Sequence, residues 1–140
     1  MHIAAFVFLS IVTMHSHAYC FDQASKRFDV PVRLLQAIAE VETGMNVAAI
    51  NTNKDGSEDI GLMQINSTWL PVLKRHGIER KDLWDGCTNV MVGAWILAQN
   101  IATYGYTWEA VGAYNARSAE KRERYAKRVF GKVRKGGERG

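Results

Sequence analysis

Apolar residues recur at helical spacing in several separate blocks along the chain, with turn formers between them. The first block differs from the rest. Residues 1–18 carry no Asp, Glu, Lys or Arg, and the run from Ile3 to Met14 is almost wholly apolar. At about 12 residues it is shorter than the ~20 that a spanning helix needs. Ser16-His17-Ala18 puts small residues at the −3 and −1 positions of a secretory cleavage site, so residues 1–18 read as a signal peptide cut after Ala18. The leading segment has only the amino terminus and His2 in place of Lys or Arg, which leaves an uncleaved membrane anchor as the alternative.

Beyond the leader the pattern predicts mostly helix. Phe21, Ala24 and Phe28 give a short amphipathic helix, broken at Asp29-Val30-Pro31. A second helix is expected from Pro31 to Thr43, with Gly44 as its stop. Residues 45–65 lose helical period and contain Asn51, Asn53, Asp55-Gly56 and Ser57, so a loop with a small β-hairpin is expected. Ser67 is placed to cap a helix over Trp69–His76, ended by Gly77. A longer helix is expected over Cys87–Thr103, with Val90, Ala94, Leu97 and Ile101 on one stripe. Thr107 caps a short one through Tyr114. A last helix spans about Ala119–Val133, with Tyr125, Val129, Phe130 and Val133 on its apolar face. Residues 134–140 are expected to be a flexible basic tail. The fold class is therefore α+β and predominantly α-helical, with one domain over residues 19–133.

One polar residue breaks the pattern. At about 100° per residue, Leu34, Leu35, Ile38, Ala39 and Val41 share one arc of the second helix. Arg33, Gln36 and Glu40 lie opposite. Glu42 falls inside the apolar arc. A carboxyl there costs free energy unless it is paired or neutral, and desolvation raises its pKa toward a proton donor's. The bland alternative is a boundary Glu whose head reaches solvent. Asp59 follows the polar turn Asn53–Glu58, a setting in which a carboxylate stays ionised. An acid in an apolar setting beside a carboxylate in a polar one is the division of labour for splitting a glycosidic bond. Asp59 also reads as an ordinary turn residue, and Glu58 and Asp55 are rivals for its role.

Composition narrows the classes. The chain has 140 residues, 47% hydrophobic and 23% charged, which suits one small globular domain and excludes collagen-like and low-complexity readings. The net charge of +4 is uneven: residues 116–140 hold ten Lys/Arg against three Glu. That leaves a mildly acidic body and a basic final segment. The segment reads as a solvated helix face, or as a surface for an anionic wall or acidic partner. Nucleic acid is a poor candidate without a recognisable motif. Export would put Cys20 and Cys87 in an oxidising compartment, where a disulfide is expected, with two unrelated thiols as the alternative. His76 is the one histidine beyond the leader, so no metal and no cofactor are implied.

Three segments together resemble family 1 lytic transglycosylases. Gln36-Ala37-Ile38-Ala39-Glu40-Val41-Glu42-Thr43-Gly44-Met45-Asn46 resembles the end of their catalytic helix, with Thr43 where Ser is usual. Gly61-Leu62-Met63-Gln64-Ile65 resembles their second motif. Ala113-Tyr114-Asn115-Ala116 resembles the third, with Arg117 in place of Gly. The segment from Asn53 to Ser67 is similar to the part of c-type lysozymes that carries their second carboxylate, at the position of Asp59, 17 residues after Glu42. Most of the transglycosylase family lacks that Asp.

The resemblance implies a lysozyme-like fold with a substrate cleft. It implies peptidoglycan as substrate, action in the periplasm as a monomer, and the small enzymes encoded with type III secretion, conjugation or type IV pilus systems. Glu42 and Asp59 become the candidate catalytic pair. Thr43, Gln64, Asn66 and Asn115 become candidate substrate-binding residues, with Met63 as pocket wall. Tyr114 is placed to hydrogen-bond Glu42, to pack a sugar ring, or as a core tyrosine. The four tryptophans, Trp69, Trp84, Trp95 and Trp108, are assigned to the core. A hydrolytic muramidase and a non-catalytic glycan-binding assembly factor are the rival readings.

Overall fold

The computed structural model describes residues 19–116 and 118–138. The expected signal peptide and Arg117 lie outside these residues. Helix α1 (Phe21–Phe28) buries Phe21 and Ala24, and Asp29 ends it in a left-handed conformation. Helix α2 (Val32–Thr43) begins one residue later than expected, because Pro31 has extended backbone angles and acts as the N-cap. Gly44 stops it at φ 61, where its amide returns to the helix.

The hairpin region is a three-stranded antiparallel sheet in the order β1 (Ile50–Thr52), β2 (Glu58–Ile60), β3 (Ile65–Asn66). Asp59 lies on the central strand, paired with Asn51 on one side and Asn66 on the other. The third strand was not anticipated, since two residues are too few to show alternation.

The short helix that follows is a 3-10 turn over Ser67–Trp69 running into α3 (Leu70–Lys74). Its cap is Asn66, not Ser67: the Asn66 side chain accepts the Thr68 amide. Ser67 is diverted because strand pairing brings its hydroxyl to the Glu58 N–H, at 2.9 Å. A second 3-10 turn, Arg80–Trp84, starts with a reciprocal Glu79–Asp82 capping box.

Helix α4 (Gly86–Tyr104) is the central element, capped by Asp85, with Val90, Ala94 and Leu97 fully buried. Helix α5 (Trp108–Gly112) is capped by Thr107 as expected, but it ends before Tyr114. Helix α6 (Ala119–Gly137) runs four residues past the expected end at Val133, into the expected flexible tail. Two apolar expectations are corrected. Phe130 on α6 is 44% exposed, packed edge-on against Trp108, which is equally exposed and not in the core.

Cys20 and Cys87 form a disulfide that ties the start of α1 to the first turn of α4. Residues 67 apart in sequence are joined, so the bridge restricts the unfolded chain by roughly 4 kcal/mol in the loop-entropy account. Replacing both cysteines by Ala is expected to lower unfolding free energy by about 2–5 kcal/mol. Urea denaturation followed by circular dichroism measures this.

Candidate active site

Glu42 occupies the last turn of α2, half-buried, on the side that faces α6. Its carboxyl accepts a hydrogen bond of 2.6 Å from the hydroxyl of Tyr125, which is 3% exposed. The Asn115 side chain lies beside the same carboxyl in the cleft. Burial pushes the Glu42 pKa up. The Tyr125 hydroxyl, the nearby Asn115 amide and the Arg128 charge pull it down, the negative charge of Asp59 pushes up again, and burial prevails. Burial also holds the Tyr125 hydroxyl well above its ordinary range, so it remains a donor.

Tyr114 is not the partner of Glu42. Its hydroxyl donates to the Met63 carbonyl at 2.8 Å, and its ring stacks on Tyr125 at 6.5 Å. The tyrosine that does reach Glu42 is Tyr125, which the sequence pattern marks only as part of the apolar face of α6. The signal that marks it is polar: a buried tyrosine hydroxyl needs a partner.

Asp59 presents both carboxyl oxygens to amide donors. Asn53 Nδ2 lies 3.0 Å from Oδ2, and Asn66 Nδ2 lies 2.8 Å from Oδ1. The rival Asp55 accepts from the backbone and hydroxyl of Ser57 at the hairpin turn. The rival Glu58 is bound bidentately by Arg80, which lowers its pKa.

A cleft of about 430 Å³ brings Glu42, Asp59, Gln64, Asn66, Tyr114 and Asn115 to one surface, together with Trp69, Ile96 and Asn100. Trp69 therefore lines the cleft as well as packing against the core. A larger groove of about 600 Å³ between α5 and α6 contains neither Glu42 nor Asp59.

Several expected substrate contacts also bond within the protein. Met63 is fully buried behind the cleft wall, because its backbone is held on both sides by Asn89 and Tyr114. The Thr43 hydroxyl donates to the Leu62 carbonyl at 2.7 Å. Gln64, at φ 54, donates to the Gly61 carbonyl and accepts from Asn51. Asn66 spends its amide on Asp59, Ser57 and the cap. These residues shape the cleft through the backbone that carries Asp59.

Residues 19–134 match the family described as Transglycosylase SLT domain. The chain belongs to that family. The chain is 50% identical over 123 residues to Invasion protein IagB of Salmonella typhimurium, covering 84% of this chain and 77% of the relative. It is 38% identical over 130 residues to Protein IpgF of Shigella flexneri, covering 89% and 86%. A Peptidoglycan-binding-like protein of Escherichia coli O157:H7 is 38% identical over 123 residues, covering 79% and 74%. The fold is lysozyme-like, and family membership carries a lytic transglycosylase-type action on peptidoglycan, a polymer outside the cytoplasmic membrane.

The electrostatics can be tested without substrate. Tyr125→Phe removes a hydrogen bond that lowers the Glu42 pKa, so the pKa should rise further. Asp59→Asn removes a charge that raises it, so the pKa should fall. Carboxyl-carbon NMR titration of Glu42 in the two variants measures both shifts.

Proposed function

We propose that the protein cleaves the β-1,4 bond between N-acetylmuramic acid and N-acetylglucosamine, with Glu42 as the catalytic acid. The observation that carries this reading is the half-buried Glu42 carboxyl, raised in pKa and held by Tyr125, in one cleft with the amide-bound carboxylate of Asp59. Glu42 gives its proton to the glycosidic oxygen as that bond breaks. Positive charge develops on the muramoyl ring, and Asp59 lies in the same cleft to stabilise it. Glu42, now a carboxylate, takes the proton of the muramoyl 6-hydroxyl. That oxygen closes on the anomeric carbon and leaves a 1,6-anhydro end.

Hydrolysis is the second reading, favoured by Asp59 itself. A carboxylate at this position can act as nucleophile in a retaining mechanism, for which a separation of about 5–5.5 Å is needed. The biological setting we infer is local opening of the wall for a secretion, conjugation or pilus apparatus. The relative called an invasion protein supports it. The chain acts after export to the periplasm, with residues 1–18 as its removable leader.

Mass spectrometry of digested peptidoglycan separates the two chemistries: anhydro ends support transglycosylation and reducing ends hydrolysis. Glu42→Gln should lower the rate by about 10²–10⁴-fold, the usual range for losing a general acid. Asp59→Asn should slow it less. Cleavage by Glu42→Gln at the unaltered rate would refute the assignment of Glu42, whereas intact biological activity of a variant that no longer cleaves would favour a glycan-binding factor.

The reaction rate should also fall as pH rises through the Glu42 pKa, because the reactive form is the protonated one. Rates of muropeptide release across pH 4–9 test this, with a fall of about tenfold per pH unit expected above that pKa.

A further inference from the structure

Asn89 is a fully buried polar residue in the first turns of α4, two residues after the disulfide cysteine Cys87. All of its hydrogen-bonding groups are spent on backbone. Its Nδ2 donates to the carbonyls of Ile60 and Leu83, each at 2.9 Å. Its Oδ1 accepts the amide of Met63 at 2.8 Å. Two of these three partners flank the turn that leaves β2, and Ile60 is the residue next to Asp59.

The turn is built to receive this side chain. Gly61 sits at φ 74, and a Cβ there would lie 2.4 Å from Asn89 Nδ2 and 2.7 Å from the Leu83 carbonyl. Strand pairing holds Asp59 sideways, through Asn51 and Asn66. It does not fix where β2 ends relative to the helices. Asn89 does so from the first turns of α4, which the disulfide ties to the start of α1, alongside the Thr43 and Tyr114 hydroxyls that bond the same turn. The same turn is bound to the Glu42 side of the cleft by the Thr43 hydroxyl on Leu62. The clamp therefore sets the position of Asp59 against the end of α2.

We infer that Asn89 is a positioning residue for Asp59, acting on the reaction through the Ile60–Met63 turn. The inference rests on the reading of Asp59 as a contributor to catalysis. A residue that only stabilises the fold would slow any version of the enzyme equally. A residue that acts through Asp59 would matter only while Asp59 carries its carboxylate.

The test is a double-mutant cycle. Asn89→Ser and Asn89→Asp are each measured in the wild-type and Asp59→Asn backgrounds, at saturating peptidoglycan and below the melting temperature. Asn89→Asp keeps the shape and the acceptor for the Met63 amide. In the wild-type background a rate loss of about tenfold or more is expected, the scale of a small misplacement. In Asp59→Asn the loss should shrink to less than about twofold. Equal loss in both backgrounds overturns the inference, as does no loss in either. Failure of both variants to fold assigns Asn89 to folding alone and also overturns it. An Asp59→Asn enzyme with unaltered rate overturns instead the reading of Asp59 on which the inference rests.

Discussion

A carboxyl on the core-facing side of a helix is the constraint around which the cleft is arranged. Glu42 gives up part of its hydration, and that cost has to be offset by a donor delivered from elsewhere. The donor is the Tyr125 hydroxyl, 83 residues away in sequence. It can be delivered only if α6 lies along α2. Arg33 on α2 helps to hold it there by bonding Glu40 on its own helix and the Lys132 carbonyl on α6. The basic C-terminal helix completes the environment of Glu42: one face carries Tyr125 and Val129 inward, while most of its charges face solvent.

The second carboxylate depends on a different kind of support. A three-stranded sheet with strands of two or three residues has little stability of its own. The turn after β2 is fastened by side chains from three separate places: Thr43 on Leu62, Asn89 on Met63 and Ile60, and Tyr114 on Met63. Each side chain comes from one of the motifs or helices around the cleft. Two residues that read as substrate contacts in the sequence, Thr43 and Tyr114, bond the backbone of this turn. That division is economical, since a donor bound to backbone fixes geometry without competing for the ligand.

The second helix, the central helix and the caps at Gly44 and Thr107 were legible because they are local events, set by residues within one or two turns. Glu42 was legible for the same reason: its misplacement on the helix face is a property of twelve consecutive residues. The Cys20–Cys87 pairing could be expected from compartment and number alone. The cap at Asn66 was misplaced by one residue because Ser67 is claimed by Glu58 across the sheet, an interaction no local pattern encodes. Phe130 matched the apolar stripe of its helix yet lies half in solvent, since the face it shares with Trp108 has no covering element among the described residues.

The sequence by itself determined the helical periods, the stop at Gly44 and the cap at Thr107, the candidate carboxyls and the family resemblance, because these depend on spacing and residue type. The tertiary structure decided which tyrosine meets Glu42, which amides hold Asp59 and that Trp69 borders the cleft while Met63 does not. Those outcomes depend on the relative placement of α2, α4, α6 and the sheet. Burial and hydrogen-bond completion are properties of surfaces that meet only after the chain has closed on itself, and no single stretch of residues contains them.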